Sequence, residues 1–98
     1  MAAYVIKYHP DALNDLAASY EWGFQVWGAE AAEKWYNDIE SAIETHLASM
    51  PSSCPVAPEN SGFDIEIRHL ILGRYRILFT ISGEEVDILR LQGPFSGG

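Results

Sequence analysis

The chain has 98 residues, with 6 basic against 14 acidic side chains, a formal charge of −8, 48% hydrophobic residues and 20% charged residues. That length supports one hydrophobic core in a single domain over residues 1–98, and the apolar fraction excludes wholesale disorder. The acidic balance is the wrong sign for general attraction to nucleic acid or anionic lipid, so direct DNA binding is not expected.

Ala3 to Tyr8 is β-branched and aromatic enough for a short strand. His9-Pro10-Asp11 then opens a helix, with proline suited to its first turn and Asp11 favourable to the helix dipole there. Leu13, Leu16, Tyr20, Phe24 and Trp27 recur every three or four residues, which predicts a buried stripe, and the helix should break near Trp27-Gly28. A second helix is expected from about Ala29 to Ser49, with Ala32, Trp35, Ile39, Ile43, His46, Leu47 and Met50 inward and an acidic solvated face outward. The three prolines of PSSCPVAPENSG make residues 51–62 a loop. Three strands follow at about Asp64–Leu72, Arg74–Ile81 and Glu85–Leu91, with turns at Gly73 and Ser82-Gly83-Glu84, hence an antiparallel meander. Residues 93–98 hold too much glycine and proline to persist as structure. The order β-α-α-β-β-β predicts an α+β fold, a helical hairpin packed on one face of a small sheet.

Cysteine usage and the N-terminus bear on location. Cys54 is the only cysteine, which excludes an internal disulfide and a multi-cysteine metal cluster, fits a reducing compartment and reads as an inert thiol between prolines. The start MAAYVIKYHPD lacks the apolar stretch of an export signal and no run approaches 18 apolar residues. The expectation is a cytoplasmic protein with no membrane partner.

The charge is unevenly placed. Residues 1–63 hold nine acids against Lys7 and Lys34, whereas residues 64–98 hold five acids and all four arginines. Any site for an anion or carboxylate is therefore expected in the C-terminal third. Simple alternation along the meander puts Ile65, Ile67, Ile71, Ile77, Phe79, Ile81, Leu89 and Leu91 under the helices. The opposite face then collects Arg68, Leu70, Arg76, Leu78, Thr80, Val86, Ile88 and Arg90, an assignment that a bulge would partly flip. From that face Arg68, Arg76, Leu78, Ile88 and Arg90 form the candidate partner-binding patch, apolar area with guanidinium forks that grip carboxylates; Arg74 beside the turn reads as a rim charge. The bland alternative is exposed arginines paired with Glu66 or Glu84. His9, His46 and His69 lie on separate elements without ligand spacing, so neither a metal nor a cofactor is expected, and His46 reads as a hydrogen-bonded histidine at the edge of the core.

This arrangement resembles the RelE/ParE superfamily of toxins from type II toxin–antitoxin systems, and looks most like its ParE-like branch. The matching residues are His9-Pro10-Asp11-Ala12-Leu13 with Asp15-Leu16, then Trp35-Tyr36 with Ile39 and Ile43, Pro51 and Pro58-Glu59-Asn60. They continue through Ile67-Arg68-His69-Leu70, GRYRILFTI over residues 73–81, and Val86-Asp87-Ile88-Leu89. The resemblance implies a toxin neutralised by a cognate antitoxin whose C-terminal segment wraps it, with DNA gyrase as the target in ParE-like members and the ribosome in RelE-like members, which cut mRNA. The nuclease branch is basic where this chain reads Asp64-Ile65-Glu66 and again after the last strand, where it reads Gln92-Gly93-Pro94-Phe95. If the chain were a nuclease, Arg76, Arg68 and His69 would be its catalytic residues. A third reading is a diverged member that keeps the fold without the toxicity.

Overall fold

The computed structural model describes residues 3–57 and 66–93. Its elements are β1 (Val5–Tyr8), α1 (Pro10–Trp27), α2 (Ala29–Leu47), a 3-10 turn (Pro51–Ser53), β2 (Arg68–Leu72), β3 (Tyr75–Ser82) and β4 (Glu85–Gln92). The four strands form one sheet in the order β1-β4-β3-β2, with β1 parallel to β4 and the other pairs antiparallel. The expected α+β order is therefore present, and the first strand closes the sheet beside the last. Asp64 and Ile65, expected to begin the second strand, and residues 94–98 of the expected tail lie outside the described residues; Glu66 and Ile67 precede β2.

His9 caps α1 with its own imidazole, which accepts the Asp11 amide at 3.1 Å, and Pro10 occupies the first turn, where a backbone N–H would be unpaired anyway. The buried stripe of α1 differs from the expected one. Ala12, Leu16, Ser19 and Gly23 face inward, while Leu13 is 51%, Phe24 48% and Trp27 49% exposed. The reason is close packing: a Cβ on Gly23 would lie 3.8 Å from the Ala32 Cβ of α2 and 3.1 Å from the Trp27 ring. Small side chains let the helices approach, and the large apolar ones are turned aside. In α2 the inward residues are Ala32, Ile39, Ile43 and Leu47, with Trp35 partly buried against the same core. His46 is exposed and Met50 lies beyond the helix, also exposed, so neither joins the core as expected.

The main core is built from Ile43 and Leu47 of α2 against Ile77 and Phe79 of β3 and Val86, Ile88 and Leu91 of β4. From β1, Ile6 and Tyr8 pack onto it, paired with Val86 and Ile88. Burial pushes the Tyr8 phenol up to about 12, helped by the nearby carboxylates of Glu40 and Glu44, which disfavour a phenolate. Because the folded pKa lies above the ordinary value near 10, the unfolded chain ionises first, so stability should fall as pH rises from about 10 to about 12. A titration followed by phenolate absorbance should show Tyr8 lagging the exposed tyrosines, and the lag should vanish in denaturant.

Two-residue turns join the meander strands. Leu72 pairs with Tyr75 across Gly73-Arg74, and Ser82 pairs with Glu85 across Gly83-Glu84. Gly73 and Gly83 take φ of 61° and 62°, a left-handed region in which a side chain is strained. This geometry flips parity at each turn, because residue i meets residue i+3 and an even number faces the same way as an odd one. Beyond that, Leu78 pairs with Arg90 but Phe79 pairs with Ile88, leaving Leu89 as an extra residue on β4. The bulge restores odd-with-odd register for the last part of β4. Together these features redistribute the two faces of the sheet.

Candidate partner-binding face

On the sheet face away from the helices, two cross-strand rows stand side by side. One runs Ile71, Arg76, Gln92; the other His69, Leu78, Arg90. Arg76, on the central pair of strands, donates from Nε to His69 Nδ1 at 3.2 Å and from Nη1 to Gln92 Oε1 at 3.1 Å. Its guanidinium is thereby held over β2, β3 and β4 at once. Ile71 is 60% exposed next to it. Leu78 is only 7% exposed, because Ala57, Ile67 and Leu89 form a small second cluster with it.

The five candidate residues are thus split. Arg76 and Leu78 lie on the open face as expected. Ile88 is fully buried in the main core, because the turn register places it opposite Phe79. Arg68 likewise pairs with Phe79 on the helix side, where Nη1 donates to the carbonyls of Ser52 (3.3 Å) and Cys54 and Nη2 pairs with Glu66 at 2.8 Å. It clamps the 3-10 turn to β2, the bland reading in its case. Leu70 and Val86 also belong to the helix side, and Ile67, Ile71 and Leu89 to the open face, each a reversal of simple alternation. Cys54 is buried beneath this clamp, and burial pushes its thiol up against the opposing pull of Arg68. Arg74 sits exposed in the turn.

Arg90 is on the open face in register but wraps the free end of β4 to meet Asp15 of α1 in a fork, at 2.8 Å and 3.2 Å. Beyond Tyr8 the first strand has ended, so the Leu91 amide would point from an uncovered edge; the same Asp15 carboxylate accepts it at 2.8 Å. Asp15, Ile71 and Gln92 are site residues absent from the patch expected from sequence, and only Ile71 was misplaced by simple alternation. The two-residue turn at Gly73-Arg74 carried the signal for Ile71, whereas Gln92 meets Arg76 only because of the bulge at Leu89, and nothing in one helical aspartate announced a partner 75 residues away. Asp15→Ala should cost about 1–3 kcal/mol by orphaning the amide and the guanidinium, and Arg90→Ala about 0–1 because that pair is half solvated. Denaturant unfolding of the two variants checks the order.

Comparison with known proteins bears on the whole arrangement. The family model for the ParE toxin of type II toxin–antitoxin systems matches residues 6–92, from within β1 to the last residue of β4. The chain belongs to the ParE toxin family. Among solved structures, a chain of the chromosomal ParDE toxin–antitoxin system from P. aeruginosa is 26% identical, with a TM-score of 0.76 over 93% of this chain and 96% of that one. A chain of the toxin–antitoxin complex RelBE2 from Mycobacterium tuberculosis shares the fold at 21% identity, with a TM-score of 0.66 over 95% of this chain and 93% of that one. No curated protein matches the sequence.

In this ParE-family chain the open face offers Arg76 as a charge held in place by His69 and Gln92, beside apolar Ile71. Such a patch suits a carboxylate next to an aliphatic side chain. Among the described residues no group of three or more histidine, cysteine or acidic side chains could hold a metal ion, and no helix is long and apolar enough to cross a membrane.

Proposed function

We propose that the chain acts by binding and inhibiting a cellular target, a gyrase-type enzyme as the ParE resemblance implies. A cognate antitoxin holds it inactive by laying an acidic, apolar segment on the open face around Arg76 and Ile71. The ParDE likeness supports the antitoxin partner, since that neighbour comes from a toxin–antitoxin system. The observation that carries binding over catalysis is the state of His69. Its Nδ1 accepts from Arg76 Nε at 3.2 Å, so one ring nitrogen is already engaged in holding the guanidinium. That contact makes His69 a positioning group for Arg76, and Nδ1 is not open to take a proton from a 2′-hydroxyl. RNA cleavage needs such a base, and phosphate stabilisation by Arg76 is no substitute for it.

The experiment is expression in bacteria with and without a cognate antitoxin, followed by two assays on purified protein. The expected result is growth arrest relieved by the antitoxin, inhibition of gyrase supercoiling, and intact mRNA in a translating ribosome system. Site-specific cuts in the ribosomal A site, lost in Arg76→Ala, would transfer the chain to the RelE-like nucleases. No arrest at all would favour the diverged, non-toxic reading.

A further inference from the structure

The amphipathic signal of α1 exceeds what the fold buries. The helix turns its small residues, Ala12, Ser19 and Gly23, with Leu16, into the protein and leaves a second stripe of Leu13, Ala17, Tyr20 and Phe24 at the i, i+4, i+7, i+11 spacing. Leu13 and Phe24 of that stripe are about half exposed. Next to it, between α1 and α2, runs an open groove of about 590 Å³, lined by Ala17, Tyr20 and Phe24 on one side and Tyr36 on the other, with Glu21 and Glu33 at the rim. Tyr20 and Tyr36 meet edge to face at 6.0 Å and Tyr20 lies 6.5 Å from Phe24, so the floor is an aromatic surface already in place.

The surrounding charge says what covers it. The hairpin holds three carboxylates in α1 and five in α2 against one lysine, Lys34, which is tied to Asp38 at 2.8 Å. We propose that this groove is a docking site for a basic amphipathic helix of a partner protein, lying along the hairpin as a third helix. The stripe from Leu13 to Phe24 is ~16 Å long, about three turns of such a partner. Its apolar residues would cover Leu13, Tyr20 and Phe24, while its lysines and arginines meet Glu21 and Glu33 and lie against the tyrosine rings. An acidic segment, suited to Arg76 on the sheet, would be repelled here. The inference does not rest on the sheet-face reading, because the groove is formed wholly by the helices.

The test uses the full chain and two synthetic amphipathic peptides of about 14 residues with the same leucine stripe, one flanked by lysine and arginine, the other by glutamate. Affinity is measured by calorimetry at low and high salt, for wild type, Phe24→Ala, Glu21→Lys/Glu33→Lys and Arg76→Ala, with circular dichroism verifying each fold. The expected result is binding of the basic peptide, weakened by salt and at least about tenfold weaker in Phe24→Ala and in the charge reversal, and unchanged in Arg76→Ala. Tyr20 and Tyr36 ring signals should shift in the magnetic resonance spectrum of the complex. Failure of the basic peptide to bind, equal binding of the acidic peptide, or equal affinity in wild type and both groove variants would each overturn the proposal. None of those results would touch the sheet-face reading, whose reporter is Arg76.

Discussion

Phe79→Ala is expected to lower stability by about 3–5 kcal/mol, the cost of removing a large aromatic from a site that cannot collapse. Phe79 is fully buried on the helix side of β3, opposite Ile88 on one neighbour and Arg68 on the other. Its loss leaves a void in the core between the sheet and the helices, and the flanking strands are held in place by their ladder hydrogen bonds. A domain of this size has only about 5–15 kcal/mol to lose, so the variant should stand near the edge of folding. Trp35→Ala should follow with a smaller loss, since Trp35 is only partly buried; its ring lies 5.1 Å from Tyr75 on the same core. Denaturant midpoints give the order. A Phe79→Ala protein melting within a degree or two of the parent would contradict the packing of the hairpin on the sheet.

The order of elements was legible because each is signalled locally. His9-Pro10 opens one helix, Gly28 separates it from the next, and Gly73 and Gly83 punctuate the strands. What local patterns do not carry is which of two apolar stripes wins. In α1 the stripe of larger side chains has the stronger hydrophobic signal, yet the stripe with Gly23 and Ser19 is buried because only it allows close approach to Ala32. Tertiary packing decided between two acceptable faces. The sheet is a different case. Its face assignment failed through arithmetic that the turn lengths contained, since a two-residue loop pairs Leu72 with Tyr75 and so joins even positions to odd. The bulge at Leu89 had no comparable signal, and it alone returns Arg90 to the face of Leu78 and Arg76. Hence Arg76, on the central strand that defines the frame, was placed correctly, while Arg68 and Ile88 on the flanking strands were not.

Loss of antitoxin affinity by about 2 kcal/mol or more, roughly thirtyfold, is the expected result of Arg76→Ala. The arginine is suited to such a role because His69 and Gln92 fix its guanidinium before the partner arrives, so little side-chain entropy is lost on binding. Removing it also leaves a partner carboxylate desolvated without its counter-charge, which adds to the cost. Ile71→Glu should weaken binding at least as much, by setting a negative charge where an acidic, apolar segment must pack. The 60% exposure of Ile71 makes this substitution tolerable to the fold. Leu78→Glu is a poorer probe, for Leu78 is buried under Ala57, Ile67 and Leu89 and the charge would disrupt that cluster before any partner arrived. Arg74→Ala, in the exposed turn, should change affinity by less than about 0.5 kcal/mol, as a solvated rim charge does. The affinities are to be measured by calorimetry on folded variants with the cognate antitoxin. Unchanged binding in both Arg76→Ala and Ile71→Glu would remove the antitoxin from the sheet face, and a loss confined to Arg74→Ala would place it at the β2–β3 turn instead.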